Sequence, residues 1–120
     1  MNFLLEGILI IVSSTAPVAL SGNEYAVAVY NHDDHKIYVM PEYKKEPFVL
    51  YHEIGHYKFH KYFIGQGAFE HAMFWINVNK QTKYCPSGTM SWEIVADHYA
   101  FYRLGKEMPP EVVAYFTYYK

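Results

Sequence analysis

The chain has very little of two residue types, since it contains one cysteine and one arginine among its 120 residues. The lone thiol, Cys85, cannot form a disulfide within the chain, so the sequence gives no sign of an oxidising compartment. Arginine is the usual residue for reading phosphates and bases, and the formal net charge of −2 offers no attraction for nucleic acid or an anionic membrane. We therefore expect a cytoplasmic protein that binds neither nucleic acid nor membrane.

A long apolar run is also absent from the sequence. The continuous apolar stretch at residues 8–12 is far shorter than the roughly 20 residues that cross a bilayer. The first residues lack the basic region of a signal peptide, and Glu6 and Gly7 interrupt their apolar character. We therefore expect this segment to be a terminal helix or strand that packs on the domain.

Hydrophobic and aromatic residues are abundant, at 52% and 19% of the chain, which indicates a folded protein with a substantial core. A chain of this length is typical of a single domain, here residues 1–120, that folds without disulfides. The β-prone runs at 25–30 and 36–40 flank the polar segment NHDDH and predict an antiparallel hairpin.

Three helices are predicted after the hairpin, so the expected fold class is α+β. The first begins near Pro47, because proline is tolerated at a first helical position, and ends near Gly65. A short helix over 67–76 and a loop follow, and a further helix over 90–105 also ends at a glycine. The last ten residues fit either a final helix or an extended tail.

The first of these helices contains the stretch VLYHEIGHYKFH, in which His52, Glu53 and His56 form an H-E-x-x-H pattern. Residues four apart lie on one helix face, about 5 to 6 Å between Cβ atoms, so two imidazoles can converge on one ion. Glu53 follows the first histidine and projects beside such an ion, where it can take a proton from water. The pattern predicts a zinc site, and its simpler alternative is a helix with two solvated histidines.

Two neighbours of the motif bear on its geometry. Gly55 is a poor helix former, which indicates that another backbone or a ligand passes close by. His60 lies eight residues after His52, about 12 Å along one helix, so it is expected at the rim or the surface. A pattern with a third histidine six residues after the second also fails, because that position is Tyr62.

A catalytic zinc ion normally has three protein ligands, and the better third candidate is Glu93 on the later helix. Asp97 lies one turn further on the same face and can accept a hydrogen bond from a ligating histidine. Two carboxylates in a largely apolar helix need partners, which a metal and its histidines supply. An ordinary charged face is the alternative, and so is a site in which Asp97 replaces Glu93 as the ligand.

This combination of H-E-x-x-H with E-x-x-x-D on a second helix resembles the gluzincin branch of zinc metallopeptidases. The compact arrangement, YHEIGHYKFH followed some 40 residues later by E-x-x-A-D-x-Y-A, is similar to the minigluzincins and the ImmA/IrrE-type peptidases, over about residues 36–101. The resemblance implies a small zincin-like domain, in which a short β-sheet with a peptide-binding edge strand packs on an active-site helix and a glutamate helix.

The resemblance also assigns roles to individual residues. It implies one Zn²⁺ ion held by His52, His56 and Glu93, with Glu53 as general base and then acid. It places Asp97 behind the ligands. The substrate would lie along the strand that contains Tyr38, Val39 and Met40. The chain departs from the larger family members in having no second subdomain that closes the cleft.

That departure leaves the group that stabilises the oxyanion open. The candidates are His71, His98 and Tyr99, although Tyr99 also fits the core and His71 also fits a surface. His32 and His35 in the hairpin loop are expected to be solvated. Cys85 could reach the zinc ion as a latency ligand, and a simple loop thiol is the alternative.

Two functional hypotheses follow from the sequence. The first is a zinc-dependent peptidase, either active or latent, that acts on a peptide or protein substrate. The second is a catalytically silent metal-binding regulatory or interaction protein on the same scaffold. The aromatic C-terminal tail VVAYFTYYK fits the second, because exposed aromatic residues favour interfaces and could pair two copies of the chain as a homo-oligomer. The alternative is that the tail fills the cleft and keeps the enzyme latent.

Overall fold

A four-stranded mixed β-sheet and two long helices make up the fold, in a computed structural model that describes residues 2–59 and 91–106. The elements are β1 (Phe3–Leu5), β2 (Ile8–Val12), α1 (Ala16–Ser21), β3 (Ala28–Asn31), β4 (Lys36–Val39), a 3-10 turn (Pro41–Tyr43), α2 (Pro47–Phe59) and α3 (Ser91–Arg103). The predicted α+β class is confirmed. The expectations for the helix over 67–76, the loop at 77–88, His60, His71, Cys85 and the C-terminal tail lie outside the described residues.

The β1–β2 pair is a hairpin that closes through Glu6 and Gly7. Leu5 pairs with Ile8, so the loop has two residues, and both have positive φ, +50° and +81°. This matches the type I′ turn, whose twist suits a two-residue hairpin. The terminal segment is therefore a strand pair, and the two residues that interrupt its apolar run form the turn.

The sheet order is β1-β2-β4-β3, with β2 and β4 parallel and the other two pairs antiparallel. The predicted hairpin of β3 and β4 is confirmed, with Tyr30 opposite Ile37. Strand β4 lies between two neighbours, and just beyond it the Met40 N–H donates to the Val27 carbonyl at 2.9 Å. The prediction that Tyr38, Val39 and Met40 form an edge strand is therefore wrong, since the backbone groups that would hold a peptide are engaged within the sheet. In the described part of the chain the outer strands are β1 and β3.

One face of the sheet forms the core with α2 and α3. Its buried side chains come from alternate positions of the two central strands, as a period of two requires: Ile8, Ile10, Ile37 and Val39. Leu50 and Ile54 of α2 and Tyr99 of α3 complete this cluster. Helix α2 thus packs against both the sheet and α3.

The ends of the two helices follow from particular residues. Helix α2 begins at Pro47, as predicted. Helix α3 ends before Gly105, which has φ +74°. There the Lys106 N–H reaches the Phe101 carbonyl at 3.0 Å and the Gly105 N–H reaches the Tyr102 carbonyl at 3.2 Å, a Schellman cap. Neither these helices nor α1 is long and apolar enough to cross a membrane.

The two helices touch at Gly55, where α2 has no side chain. A Cβ atom at this position would lie 2.9 Å from the Ala96 Cα and 3.1 Å from the Ala96 carbonyl oxygen, inside normal contact distance. The expectation that another backbone passes close to Gly55 is confirmed. This close approach sets the distance between the α2 and α3 side chains that face each other one turn earlier.

Candidate metal centre

Helices α2 and α3 bring three potential ligands together, namely His52 and His56 from α2 and Glu93 from α3. One ligand atom from each lies within 4.8 Å of the others. The Nε2 atoms of the two histidines are 3.1 Å apart. The Glu93 carboxylate spans both rings, with Oε2 at 3.2 Å from His52 Nε2 and Oε1 at 2.9 Å from His56 Nε2. The three residues that the sequence pointed to as ligands are therefore close enough to bind one metal ion.

The donor set and its spacing fit a small divalent cation. Ligand atoms at about 2.0 to 2.1 Å from a tetrahedral zinc ion lie about 3.3 Å from one another. The separation of 3.1 Å between the two histidine nitrogens is slightly shorter than such an edge, and so are the distances of 3.2 and 2.9 Å from His52 and His56 to Glu93, although a different Glu93 oxygen faces each ring. Two imidazole nitrogens and one carboxylate also form the ligand set of many catalytic zinc sites, which keep a fourth position open.

Asp97 lies behind this cluster and does not belong to it. Its Oδ1 atom is 2.7 Å from Nδ1 of His52, the ring nitrogen on the opposite side from the cluster. Asp97 is fully buried, so this contact supplies a partner to a carboxylate that is shielded from water. A proton on Nδ1 donated to Asp97 leaves the Nε2 lone pair of His52 for a metal. The geometry favours Glu93 over Asp97 as the third ligand.

The charges around the two helices hold a proton in the metal-free cluster. Burial lowers the pKa of His52, but its hydrogen bonds with Asp97 and Glu93 and the charge of Glu53 outweigh that effect and raise the pKa to about 10. Burial raises the pKa of Glu93, but the two histidines outweigh it and bring the pKa down to about 2. The carboxylates around His52 therefore favour its protonated form.

Glu53 lies beside the cluster with little exposure to solvent. Its Oε2 atom is 3.7 Å from His52 Nε2, which is too far for a strong hydrogen bond. The carboxylate is nevertheless close enough to face a further ligand of a metal ion that His52 would bind. Its Oε1 atom accepts a hydrogen bond from the Tyr30 backbone N–H at 2.9 Å. No sequence pattern pointed to Tyr30, because a main-chain contact between residues 23 positions apart has no side-chain signature.

The remaining candidates divide by their surroundings. The Tyr99 hydroxyl donates its proton to Glu6 Oε2 at 2.8 Å and its ring belongs to the core, so it is not directed at the cluster. His98 is fully buried on the same helix. His32 and His35 are exposed, as expected, and the His35 Nδ1 atom lies 2.9 Å from the Tyr30 hydroxyl. Neither Tyr99 nor the loop histidines therefore join the cluster.

Comparisons with known proteins add nothing to this geometry. The sequence matches no protein-family model, and neither the curated proteins nor the solved structures give a match. What the chain shows by itself is an α+β fold with a His-His-Glu cluster that could hold a metal ion.

Proposed function

We propose that the chain is a zinc-dependent peptidase of the gluzincin type. The observation that supports this most strongly is the convergence of His52, His56 and Glu93 with the Glu53 carboxylate directly beside them. A structural zinc site normally has four protein ligands, whereas three ligands next to a carboxylate suit a site that activates water. The sequence resemblance to minigluzincins points the same way.

Different residues of the chain have different roles in the proposed hydrolysis. A bound zinc ion supplies Lewis-acid chemistry, which makes water nucleophilic near neutral pH and polarises a peptide carbonyl. Glu53 Oε2 accepts the proton of the attacking water and later donates it to the leaving amine. Asp97 keeps the His52 ring in one orientation and one tautomer throughout.

The outer edge of β3 is the better place for a peptide substrate than β4. Tyr30 in this strand lies 2.9 Å from Glu53 through its backbone nitrogen, so the strand runs past the proposed base. An extended peptide along that edge would pair with outward main-chain groups of β3 other than the Tyr30 N–H, which Glu53 already engages, and would carry its scissile bond close to Glu53. The substrate is accordingly proposed to be an extended stretch of peptide or unfolded protein.

The test compares zinc content and cleavage in three proteins, incubated with a generic unfolded protein. The wild type should hold one zinc ion per chain and cleave. Glu53→Gln should keep the zinc ion and lose cleavage, because the amide cannot accept a proton, whereas Glu93→Ala should lose zinc and cleavage together. Cleavage by Glu53→Gln at the wild-type rate would refute the mechanism.

Zinc without cleavage in the wild type would instead favour the metal-binding regulatory or interaction protein. Truncation after Pro110 separates that outcome from latency. A latent peptidase gains activity when the tail is removed. If the tail instead joins two copies of the chain, its removal leaves a monomer. Gel filtration of both forms, run beside the cleavage assay, distinguishes these results.

A further inference from the structure

The backbone N–H of Tyr30 points away from the sheet and toward helix α2. Antiparallel pairs alternate between residues that exchange hydrogen bonds and residues that do not. The bond from the Met40 N–H to the Val27 carbonyl sets this alternation for the β3–β4 pair, so Tyr30, opposite Ile37, directs its N–H outward. This N–H donates to Glu53 Oε1 at 2.9 Å, a charge-assisted contact between a strand and a helix.

This hydrogen bond determines which oxygen of Glu53 faces the cluster of His52, His56 and Glu93. A glutamate side chain has several rotatable bonds, and each orientation of its carboxylate presents a different atom to its neighbours. With Oε1 held by the strand, Oε2 is the atom at 3.7 Å from His52 Nε2. A base held in this way loses less freedom on reaction than one that must find its orientation each time.

Tyr30 is itself fixed by two further contacts. Its ring stands edge-on to the ring of Tyr57, with centroids 5.7 Å apart at 77°, and its hydroxyl lies 2.9 Å from Nδ1 of His35. Tyr57 is four residues after Glu53, one turn along the same face of α2. Strand β3 therefore meets α2 at two successive turns, once through its main chain and once through a side chain.

We propose that Tyr30 is a positioning residue for Glu53: its main-chain N–H aims the carboxylate at the metal cluster, and its side chain, held by Tyr57 and His35, keeps strand β3 in place to do so. This inference rests on the proposed function only for the role of Glu53 as a base after it has been positioned. The contact itself is independent of catalysis, and it can be measured in protein that has no activity.

The first measurement is hydrogen exchange of the Tyr30 amide by NMR in wild type, Glu53→Gln, Glu53→Asp and Glu53→Ala, with the backbone amides of the β3–β4 ladder as the internal control. Gln keeps an oxygen that can accept the bond, Asp retracts the acceptor by one methylene, and Ala removes it. Protection of the Tyr30 amide should survive in Gln and fall about tenfold in Asp and Ala, while ladder amides stay protected. Unchanged protection in both Asp and Ala, with the ladder intact, would overturn the proposal. If Glu53→Ala also loses the protection of the ladder amides, the comparison of Glu53→Asp with Glu53→Gln decides whether the contact exists.

The second measurement compares Tyr30→Ala with Tyr30→Phe. Phe keeps the ring against Tyr57 and the backbone contact but loses the hydroxyl contact with His35, so its kcat should fall by less than that of Ala. Ala loses the ring, so kcat should fall about tenfold while KM and zinc affinity stay unchanged. A parallel loss of zinc affinity in Tyr30→Ala would mean that the residue only supports the fold, which overturns the positioning role.

The two measurements separate this inference from the proposed function. A wild type that stays inactive after truncation at Pro110, and whose Tyr30 amide loses protection in Glu53→Ala, supports the contact and contradicts the peptidase. An active wild type whose Tyr30 amide exchanges equally in all four proteins supports the peptidase and contradicts the positioning role of Tyr30.

Discussion

Asp97 Oδ1 lies 2.7 Å from Nδ1 of His52, on the side of the ring that faces away from Glu93. The buried carboxylate therefore determines which histidine nitrogen is free to bind a metal. One helix thus contributes both a potential ligand, Glu93, and the group that orients a potential ligand of the other helix. Four residues separate them, so one face of α3 performs both tasks.

We expect Asp97→Asn to weaken zinc binding about 10- to 100-fold while leaving the fold intact. The amide has the same shape, but its NH₂ group can donate to Nδ1 of His52 and shift the ring proton to Nε2, where the metal should bind. Competition with a chromogenic chelator measures the affinity. Asp33→Asn, at an exposed loop position, serves as the control and should bind zinc as the wild type does. Equal affinities in the two variants would contradict the role assigned to Asp97.

Gly55→Ala should lower both the free energy of unfolding and the zinc affinity. Alanine gains about 1 kcal/mol of helix propensity, but overpacking costs about 1 to 3 kcal/mol, and here the obstacle is the Ala96 backbone at 2.9 Å, which cannot rotate away. The helices must separate, and Glu93 moves with α3. Urea unfolding and zinc titration measure the two effects.

Gly22→Ala provides a matched comparison for that variant. Gly22 has φ +72° and open space around it, so alanine there is strained by the backbone conformation alone. It should lose stability without losing zinc affinity. If both glycine variants keep the wild-type affinity, the contact between Gly55 and Ala96 does not set the ligand geometry.

The metal-free protein should show a stability that depends on pH in two opposite ways. The pKa of His52 is raised from 6.5 to about 10, so its contribution is present below pH 6.5 and is lost as the pH rises through 10. The pKa of Glu93 is lowered from 4.5 to about 2, so its contribution is present above pH 4.5 and is lost as the pH falls through 2. After chelation, both contributions are present at pH 5.5, whereas the contribution of His52 is declining at pH 8.5. The Tm should therefore be higher at pH 5.5 than at pH 8.5. A Tm that rises over this interval would contradict the shift of His52.

Zinc binding should release the proton that His52 holds near neutral pH, because the metal and the proton compete for the same nitrogen. The affinity should then rise with pH until about pH 10. Calorimetry in two buffers of different ionisation enthalpy counts the protons released per zinc ion. A heat of binding that is the same in both buffers would show that no proton is displaced.

Glu6 links the first hairpin to the end of helix α3, since it accepts a hydrogen bond from Tyr99 at 2.8 Å and forms an ion pair with Arg103. Burial of the Tyr99 side chain, and then its hydrogen bond to Glu6, raise the pKa of Tyr99. We expect Glu6→Ala to cost about 1 to 2 kcal/mol of stability, because both contacts are partly screened by solvent. Glu24→Ala, at an exposed position, is the control for chemical denaturation. Equal midpoints in the two variants would contradict the link.

The cluster of candidate metal ligands could largely be predicted from the sequence, because each of its residues has a chemical signature. His52 and His56 are placed by helical periodicity alone, and Glu93 and Asp97 are set apart by the apolar residues around them. The β3–β4 hairpin was also accessible, since both strands have β-prone residues and the loop between them is polar. These features depend on local chemistry, which the sequence displays directly.

Other features depend on contacts between distant segments. Glu6 and Gly7 interrupt an apolar run, and only their left-handed conformation shows that they close a hairpin. The parallel pairing of β2 with β4 joins strands that are not consecutive, and no local pattern encodes it, so β4 was wrongly placed at an edge. The bond from the Tyr30 N–H to Glu53 is made by the backbone and is invisible in the residue types.

The contact at Gly55 has a consequence for how the protein can change. The glycine lies within the same short motif as the two histidines, three residues after one and one residue before the other. A substitution that improves helix packing at this turn would therefore also alter the distances between the candidate metal ligands. Stability and metal affinity cannot be adjusted separately here, so attempts to make the protein more robust by design should begin elsewhere, at the sheet or at the β1–β2 turn.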